Sequence, residues 1–588
     1  MNLSKAISQT TLHSFSIPRK YLHLVIVLLL GLLGYFVGPK DLPVGGYTAE
    51  IDVSLAGETL SLTYPFALGA EAGQPVTEIQ TVGDYQVVIE AQDAYRYGLG
   101  QSIDYRVMLL DAAGEPVHLA LDNVASTIAG GAYRQVLPAT SRSGEWLEFT
   151  MRIPFKARIS TGLLFAVAAL WLTELVPLAA ASLLIPVVMV VTAVTDPGTV
   201  LEPFFHPIVV LFFAGFLLAE GMHRTGVDRI IALNILKRAS LEPAYLMVAM
   251  MGLTAFLSMW MSNTASVAII IPIALAVLGK IPDDLNRTGF RRALILGIAY
   301  SATVGGIGSA IGTPANILAM TFLSDFADAD LGFVDWFSYG LPVVIIMIPI
   351  IWLYLMLVFR VKLHQIGPHL SRNAYNNELK QMGPLNKDQR LLLLIFVVVI
   401  ALWLTDRWHN VHAAIVALGG VLILFFAETI KKEDLNRINW NALLTFGGGL
   451  ALGNMLVLTG VSDWIALQLT GMVTLPPLLV VFLVAGLTLL IGAFISNTAC
   501  AAMLIPLAIP LAQILHMDPR LLVAVIAIAS SIDFALVVGT PPTMMAYSTG
   551  LFEIKDIFKR GAVLDVIGIL ILSFGVIWIW QWLGVITF

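Results

Sequence analysis

Long apolar runs recur along this chain. Residues 339–358 include no charged side chain, and an α-helix of about 20 residues is long enough to cross the apolar core of a bilayer. Over all 588 residues only 12% are charged, about half the share found in soluble proteins. The runs predict an all-α polytopic membrane protein with about 11 transmembrane segments. These segments are expected at 21–37, 160–176, 179–194, 208–220, 292–323, 339–358, 391–404, 412–427, 441–458, 521–549 and 562–583.

Basic residues cluster on one side of these segments. Lys and Arg gather before the first segment and at 280–292, 360–390, 431–437 and 555–560, whereas the loop at 195–207 has none. Because Lys and Arg are enriched in cytoplasmic loops, the N-terminus is predicted to be cytoplasmic. The C-terminus, after an odd number of crossings, is predicted to be extracytoplasmic. The expected location is the cell membrane, which is the inner membrane in a Gram-negative cell.

A segment of different character separates the first two apolar runs. Between residues 39 and 158, stretches such as YTAEIDVSL, DYQVVIEA and DYRVMLLD alternate apolar and polar residues between turn-forming Gly, Asp and Ser. The alternation predicts a small β domain, which the charge distribution places on the extracytoplasmic side. Its sequence has no cluster of His, Cys or paired carboxylates typical of catalysis. A binding or structural role is therefore expected for it.

One polar motif occurs twice in apolar surroundings. MSNTASVAIIIP and FISNTACAAMLIP both place Ser-Asn-Thr the same distance before a proline. Three pairs of residues share one offset in numbering: Thr225 and Thr459, Ser262 and Ser496, and Pro272 and Pro506. The two halves of the chain are therefore predicted to be structural repeats.

The two repeats are predicted to have opposite orientations in the membrane. Basic residues flank the first triplet at Lys237, Arg238 and Lys280, whereas the second triplet lies between segments assigned to the outer side. The chain between positions 245 and 280 enters the membrane and returns to the same side. Its roughly 35 residues are about the length of two helices that each cross half of the membrane. Each triplet is therefore expected at the tip of a re-entrant hairpin. Inverted repeats with broken helices at mid-membrane are typical of secondary transporters.

The repeats divide the chain into five predicted parts. These are an N-terminal tail with the first helix (1–38), the β domain (39–158), the first transport repeat (159–360), a cytoplasmic linker (361–390) and the second transport repeat (391–588). Each transport repeat also contains one Gly-Thr-Pro motif, at 312–314 and 539–541. These motifs are expected to break a helix, because Gly permits a turn and Pro removes an amide donor.

Broken helices at membrane depth favour a binding site. Non-helical backbone survives there only where it is buried in protein or lines a cavity, since each unpaired polar group costs several kcal/mol in hydrocarbon. Freed carbonyls, hydroxyls and Asn oxygens suit a hard cation such as sodium, and Asn amides, hydroxyls and helix N-termini suit an anion. Two such sites facing each other would couple a cation to an anion.

The paired Ser-Asn-Thr and Gly-Thr-Pro motifs resemble those of the divalent anion/sodium symporter family, which are carriers of di- and tricarboxylates or sulfate. The resemblance runs from about residue 153 to the C-terminus and includes the first apolar segment, whereas the β domain is not part of the usual pattern. It implies a homodimer in which each subunit has a scaffold and a transport domain that moves by an elevator-type alternating-access mechanism. Sodium is implied as the coupling ion, with no organic cofactor.

The resemblance also implies site residues in both repeats. Substrate-binding residues are expected at Ser262, Asn263, Thr264, Thr313, Pro314, Ser496, Asn497, Thr498, Thr540, Pro541 and Thr543. A first sodium site is expected at Ser258, Ser262, Asn263 and Gly312, and a second at Gly492, Ile495, Asn497 and Gly539.

Three positions depart from the family's pattern. Gly492 stands where the first repeat has Ser258, so the second sodium site lacks a hydroxyl. Thr543 stands where the family commonly has Asn, as Asn316 in the first repeat, which leaves the substrate open. Asp533 lies within an apolar segment, where an ionisable residue indicates a function. It is a candidate proton or cation acceptor in coupling, with a structural hydrogen bond as the alternative.

Other polar and aromatic residues are expected to be structural. Glu220 is expected to form a surface ion pair with Arg224 or Arg229, His223 to lie at the membrane interface and Cys500 to pack against apolar neighbours. Four tryptophans near segment ends are assigned to an aromatic belt: Trp336, Trp408, Trp440 and Trp464.

The expected function is sodium-coupled import of a small divalent or trivalent anion, with a C4-dicarboxylate favoured over citrate and sulfate. An anion exchanger or a proton-coupled carrier of the same fold is the first alternative, supported by Gly492 and Asp533. A ligand sensor with a vestigial carrier core is a more remote alternative. An enzyme is not expected, because the sequence shows no nucleophile–base pair or metal cluster. The expected partners are the small anion, the lipid bilayer and a second subunit, and no nucleic acid.

Overall fold

The computed structural model describes residues 19–39, 153–240, 242–279, 289–327, 329, 331–361, 379–469, 475–537 and 539–586. In the β domain it describes the segments 45–55, 58–68, 76–82, 85–91, 103–117, 124–130, 133–138, 141–143 and 146–151. Parts of two predicted basic segments, 280–288 and 362–378, lie outside the described residues.

The chain is mostly helical, as the apolar runs predict. The helices are α1 (Arg19–Val37), α2 (Ile153–Thr173), α3 (Leu178–Val191), α4 (Pro197–Leu201), α5 (Pro207–Thr225), α6 (Val227–Arg238), α7 (Pro243–Ser258), α8 (Asn263–Leu278), α9 (Phe290–Ile307), α10 (Pro314–Ala327), α11 (Asp335–Val358), α12 (Lys387–Leu404), α13 (Asp406–His409), α14 (Ala413–Phe426), α15 (Trp440–Leu458), α16 (Val461–Gln468), α17 (Pro477–Gly492), α18 (Asn497–Ile514), α19 (Pro519–Ala529), α20 (Pro541–Ser548), α21 (Ile554–Ile571) and α22 (Ile577–Trp582). The described residues also form two 3-10 helices, Glu202–Phe205 and Lys432–Asn436, and a π-helical turn at Leu572–Val576.

Among the described residues, six helical stretches are long and apolar enough to cross a membrane. They are Lys156–Thr173, Pro197–Thr225, Asp335–Val358, Trp440–Leu458, Asn497–Ile514 and Ile554–Trp582. Several further apolar helices are shorter, with 10–17 residues. These lengths and compositions confirm a multi-pass membrane protein, whereas the number and direction of the crossings stay predictions.

The first two helices pack closely because glycines face each other. A Cβ added at Gly162 of α2 would lie 2.9 Å from the carbonyl oxygen of Gly31 in α1. Small residues allow this approach between helices in membranes, where close packing contributes much of the association energy. Near the end of the contact, Arg158 Nε donates to the Tyr35 carbonyl oxygen at 2.9 Å. Helix α2 thus holds α1 against the rest of the helical body.

The described strands between α1 and α2 form two antiparallel sheets. They are β1 (Gly45–Leu55), β2 (Glu58–Leu68), β3 (Val76–Val82), β4 (Tyr85–Ala91), β5 (Ile103–Leu110), β6 (Val124–Gly130), β7 (Tyr133–Pro138), β8 (Ser141–Ser143) and β9 (Trp146–Met151). One sheet has the order β2-β1-β6-β7 and the other β3-β4-β5-β9-β8. Val107 and Leu109 are buried at alternate positions of β5, as the side-chain alternation of strands requires, whereas in β4 the three successive residues Val87, Val88 and Ile89 are all buried.

Two helical hairpins carry the Ser-Asn-Thr triplets. Helices α7 and α8, joined by residues 259–262, form the first hairpin, and α17 and α18, joined by 493–496, form the second hairpin. Helices α7, α8 and α17 have 16 residues each, so each is about 24 Å long and shorter than the ~30 Å apolar core of a bilayer.

Two further helix pairs surround the Gly-Thr-Pro motifs. The first break, residues 308–313, separates α9 from α10, and the second break, residues 530–540, separates α19 from α20. The predicted segments 292–323 and 521–549 are therefore each two helices. Helices α9 and α19 are buried over most of their length, so both breaks lie inside the helical body.

Candidate functional site

Each Ser-Asn-Thr triplet begins a helix. Ser262 is the N-cap of α8 and Ser496 that of α18, with nearly equal φ and ψ angles of −60° and 145°, and −58° and 144°. Their hydroxyls accept hydrogen bonds from the N–H groups of Ala265 and Ala499 at 3.2 and 3.3 Å. Serine is favoured at this position because its side chain satisfies an amide that has no partner within the helix. The Asn and Thr that follow therefore lie in the first turn of each helix.

The Gly-Thr-Pro motifs begin the helices that follow the breaks. Pro314 is the first residue of α10, and Pro541 is the first residue of α20. Proline suits this position because its φ angle is already helical and its missing N–H would have no partner there. Thr540 is the N-cap of α20, and its hydroxyl lies 2.9 Å from that of Thr543.

All four of these helix starts line one cavity of about 640 Å³. The motif residues in its wall are Ser262, Asn263, Thr264, Gly312, Thr313, Pro314, Ser496, Asn497, Thr498, Gly539, Thr540 and Pro541. Free amides and the partial positive charge of helix N-termini favour a negatively charged ligand. Of the predicted substrate-binding residues, only Thr543 is outside this wall, since it is fully buried against Thr540.

The opposite wall comes from α5 and α15, which the sequence analysis did not assign to the site. Phe212 and Phe216 contribute aromatic surface, and Asn441 and Thr445 contribute polar groups. Asn441 is oriented by the N–H of Ala179, which donates to its side-chain oxygen at 2.9 Å. Both helices lie within the duplicated parts of the sequence, which is the signal that could have identified them.

Charged side chains stand at one end of the cavity. Glu220, His223 and Arg437 line this end, and Glu220 pairs with Arg437 at 3.5 Å. The ion pair expected for Glu220 thus has Arg437 as its partner, while Arg224 lies 3.0 Å from Asp434. This rim carries both signs of charge.

His223 connects the rim to a buried carboxylate. His223 Nδ1 lies 3.2 Å from Asp228 Oδ2 in α6. Burial raises the pKa of the Asp228 carboxyl, and the Arg229 N–H and His223 oppose that shift. The contact ties the end of α5 to the start of α6.

Three of the four residues expected at the first sodium site lie close together, whereas the hydroxyl of the fourth, Ser262, caps α8. Ser258 Oγ lies 2.6 Å from Asn263 Oδ1 and 2.7 Å from the Ala302 carbonyl oxygen. A hydroxyl donates only one hydrogen, so one of these two oxygens faces Ser258 Oγ with no hydrogen between them. A Cβ added at Gly306 would lie 2.5 Å from Asn263 Oδ1 and 3.0 Å from the Gly312 carbonyl oxygen. The structure thus brings Ser258, Asn263 and Gly312 together, and a bound cation would stabilise this arrangement.

The residues expected at the second sodium site offer fewer oxygen ligands for a cation than those of the first site. Gly492 offers no hydroxyl, and within the described part of the chain Asn497 Oδ1 is buried without a hydrogen-bond partner. Ile495 is buried at the tip of the second hairpin. Gly539 lies directly against the Asp533 carboxylate.

Asp533 lies in the second break with a relative exposure of 2%. Neither of its carboxylate oxygens forms a hydrogen bond of normal geometry with a described residue, although the Leu536 N–H interacts with it electrostatically. The break is held by other groups. Asp565 accepts from the N–H groups of Phe534 and Ala535 at 2.8 and 3.1 Å.

The first break is held by side-chain donors. Asn316 Nδ2 lies 2.7 Å from the Ser309 carbonyl oxygen and 2.9 Å from that of Gly306. Trp336 Nε1 donates to the Ile307 carbonyl oxygen at 2.9 Å, and its ring is fully buried. The assignment of Trp336 to an aromatic belt is therefore wrong, because the broken helix requires a donor at this point.

The remaining structural expectations agree with their surroundings. Cys500 is buried, with its Sγ 3.5 Å from the Thr488 carbonyl oxygen. Trp408 and Trp440 have relative exposures of 86% and 47%, and their place at the membrane interface stays a prediction.

Comparison with known proteins gives a family match over most of the chain. Residues 150–586 match the model described as the sodium:sulfate symporter transmembrane region. The sodium-dependent dicarboxylate transporter SdcS of Staphylococcus saprophyticus is 30% identical over 433 residues, covering 69% of this chain and 83% of that protein. SdcS of Staphylococcus aureus (strain USA300) is 30% identical over 445 residues, covering 71% and 85%.

Two solved transporters are more distant. The Alcanivorax borkumensis YdaH transporter aligns with a TM-score of 0.47 and 13% identity over 66% of this chain and 88% of that one. Neisseria gonorrhoeae MtrF aligns with a TM-score of 0.43 and 14% identity over 67% and 84%. TM-scores this low do not establish a common fold. The family match includes both triplets and both Gly-Thr-Pro motifs, and the chain therefore belongs to the divalent anion/sodium symporter family.

Proposed function

We propose that this protein is a secondary active transporter that uses the inward sodium gradient to import a small divalent or trivalent anion, with a C4-dicarboxylate as the favoured substrate. The observation that carries the proposal is the convergence of four helix starts, from two Ser-Asn-Thr and two Gly-Thr-Pro motifs, on one cavity. The relatives named sodium-dependent dicarboxylate transporters support this choice of ion and substrate.

The cavity offers donors at two places for the two ends of a dicarboxylate. Asn263 and Thr264 belong to the first hairpin, and Asn497 and Thr498 belong to the second. Each carboxylate would accept hydrogen bonds from one hairpin tip, and each helix start would add favourable electrostatic energy, about 0.3–1 kcal/mol at an exposed site and more when partly buried. The aromatic surface of Phe212 would contact the carbon chain of the anion.

Sodium ions would offset the charge of the substrate. A dianion at mid-membrane is costly without compensation, and the oxygens of Ser258, Asn263 and Gly312 would bind the first ion. Asn263 and Asn497 belong to the proposed sites for both sodium and substrate. Sodium would therefore order the hairpin tips before the anion binds, and anion affinity would depend on sodium.

The cavity wall is divided between two sets of helices, which supports an elevator-type mechanism. The hairpins and the broken helices form one side, and α5 with α15 forms the other. A shift of the first set along the second would carry the site across the membrane without rebuilding it, and a second subunit would hold the second set in place. The rim of Glu220, His223 and Arg437 lies in segments predicted to be cytoplasmic, so this conformation corresponds to an inward-open state.

A proton-coupled carrier or an exchanger of the same fold is the second candidate. It is favoured by the missing hydroxyl at Gly492 and by the buried carboxylate of Asp533. Replacement of sodium by choline separates the two. Uptake that is undiminished in choline would support the second candidate.

The proposal is tested by uptake into liposomes that contain the purified protein. Labelled succinate, citrate and sulfate are supplied with an inward sodium gradient, and sodium-dependent uptake of succinate is expected. Asn263→Ala and Asn497→Ala should each remove most of it. Asn234→Ala is the control, since Asn234 is exposed on α6 and bonds only to the Ile230 carbonyl oxygen at 2.9 Å. The proposal fails if none of the three anions is taken up, or if both cavity variants transport like the unsubstituted protein.

A further inference from the structure

Asp533 in the second break stands six residues before the Gly of its Gly-Thr-Pro motif, where the first repeat has Gly306 at the end of α9 and therefore no side chain. The offset in numbering that relates Gly312 to Gly539 also relates Gly306 to Asp533. Gly306 adjoins the expected first sodium site, since an added Cβ would meet Asn263 Oδ1 and the Gly312 carbonyl oxygen. A side chain at this position of the repeat is therefore directed at a cation site.

Asp533 lies against one residue of the expected second sodium site, and a second residue of that site has an oxygen that is unsatisfied by the described residues. A Cβ added at Gly539, the counterpart of Gly312, would overlap the Asp533 carboxylate. Asn497, the counterpart of Asn263, has a buried Oδ1 that no donor in the described residues satisfies. The carboxylate thus lies beside a residue expected to bind the second sodium ion.

The two repeats differ in where the cation site obtains its oxygens. In the first, Ser258 places a hydroxyl on the hairpin, 2.6 Å from Asn263 Oδ1, and Gly306 on the opposite side has no side chain. In the second, Gly492 removes the hydroxyl from the hairpin and Asp533 adds a carboxylate on the opposite side. One substitution compensates for the other.

The polar atoms gathered at the second site are acceptors. Both Asp533 oxygens and Asn497 Oδ1 are buried and form no hydrogen bond of normal geometry within the described segments, and the Leu536 N–H is the donor that interacts with Asp533 there. The nearby Asp565 differs, because its two oxygens accept from the Phe534 and Ala535 amides. A buried carboxylate with so few donors is unfavourable unless a bound cation or a proton neutralises it.

We infer that Asp533 is a direct ligand of the second sodium ion and replaces the hydroxyl that is missing at Gly492. The inference rests on the sodium-coupled transport proposed above. The second site then carries a formal negative charge that the first site lacks. The loaded site is neutral, whereas the empty site leaves a charge inside the membrane, so the empty carrier should return slowly.

The test measures how much sodium the protein requires. Asp533→Asn keeps the size of the side chain and removes its charge, and Asp533→Gly reproduces the first repeat. Each should raise the sodium concentration for half-maximal succinate uptake by at least about tenfold, as expected for loss of one contact to a charged group. Sodium-dependent thermal stabilisation of the purified protein, measured without substrate, should weaken in parallel.

A double variant tests the compensation directly. Asp533→Gly combined with Gly492→Ser copies the first repeat on both sides of the site, and it should recover most of the sodium affinity. Serine fits at this position, because a Cβ at Gly492 would lie 3.5 Å from the Ser530 carbonyl oxygen and 3.7 Å from Cys500 Sγ, which are ordinary contacts. Asp434→Asn is the control: it removes a buried charge that lies 3.0 Å from Arg224, outside the cavity wall, and should lower thermal stability without changing the sodium requirement.

Specific results would overturn the inference. Folded Asp533→Asn or Asp533→Gly protein with an unchanged sodium requirement contradicts it, as does a change confined to the pH dependence of uptake. If Asp533→Asn does not fold, Asp533→Gly and the double variant decide by the same criterion. Failure of the proposed function is a separate result, since the unsubstituted protein would then show no sodium-dependent uptake.

Discussion

Ser258 shows how much a single hydroxyl contributes to a site of this kind. Its oxygen lies within 2.7 Å of two acceptors, but it donates only one hydrogen. The second contact is unfavourable until a cation binds both oxygens. Ser258 is therefore expected to act on sodium affinity more than on folding.

We predict that Ser258→Ala raises the sodium concentration for half-maximal uptake by about tenfold or more, with little effect at saturating sodium. Sodium titration of uptake in proteoliposomes measures the shift. Thr254→Val is the matched control one turn earlier on α7, because the buried Thr254 hydroxyl bonds only within the helix, to the Met250 carbonyl oxygen at 2.6 Å. Equal shifts in the two variants would contradict the assignment.

At the scale of elements, both breaks leave backbone groups without helical partners, and different side chains pair with these groups in each break. Interrupted helices leave backbone groups without helical partners, and inside the helical body these must be paired. The first break uses the donors of Asn316 and Trp336 to satisfy carbonyls. The second uses the carboxylate of Asp565 to satisfy amides, and the Tyr300 hydroxyl donates to the Phe534 carbonyl oxygen at 3.0 Å.

Asn316→Ala should lower the thermal stability of the purified protein, because the buried carbonyls of Gly306 and Ser309 would lose their donor. The expected loss is about 1–3 kcal/mol for each group left unsatisfied. Asn234→Ala on the exposed face of α6 should change stability by less than about 0.5 kcal/mol. Thermal unfolding in detergent compares the two variants. Equal unfolding temperatures would show that Asn316 does not hold the break.

At the scale of the whole molecule, the open end of the cavity and the β domain should lie on opposite sides of the membrane. The cavity rim carries Arg437, whose side chain has a relative exposure of 61%, and Ala112 is exposed in the loop after β5. The single cysteine, Cys500, is buried. Labelling of a cysteine introduced into Cys500→Ala protein therefore shows on which side of the membrane the introduced residue lies.

With a membrane-impermeant maleimide, Arg437→Cys should react in inside-out vesicles and Ala112→Cys only in right-side-out vesicles. The reason is the positive-inside distribution of Lys and Arg. Permeabilised vesicles, in which both sites should react, provide the control. Reaction of both sites from the same side would contradict the predicted orientation of the β domain relative to the rim.

Local patterns in the sequence account for the membrane class, the repeats and the motif positions. Span length depends on apolar composition. A Ser at a helix start acts through its own hydroxyl on an amide in the next turn, and a Pro at the first position acts through its own backbone. The triplets and the Gly-Thr-Pro motifs therefore lie at helix starts, where the patterns indicate. The convergence of those starts was predicted from the inverted repeats.

The sequence by itself thus determined what each short segment would do, because capping, breaking and membrane burial depend on neighbouring residues. Only the tertiary structure decided which distant groups meet. It buried Trp336 against the first break, supplied a wall from α5 and α15, and placed Asp533 against Gly539. All three depend on how helices and breaks pack in three dimensions, and packing of that kind is set by the shapes of many side chains together.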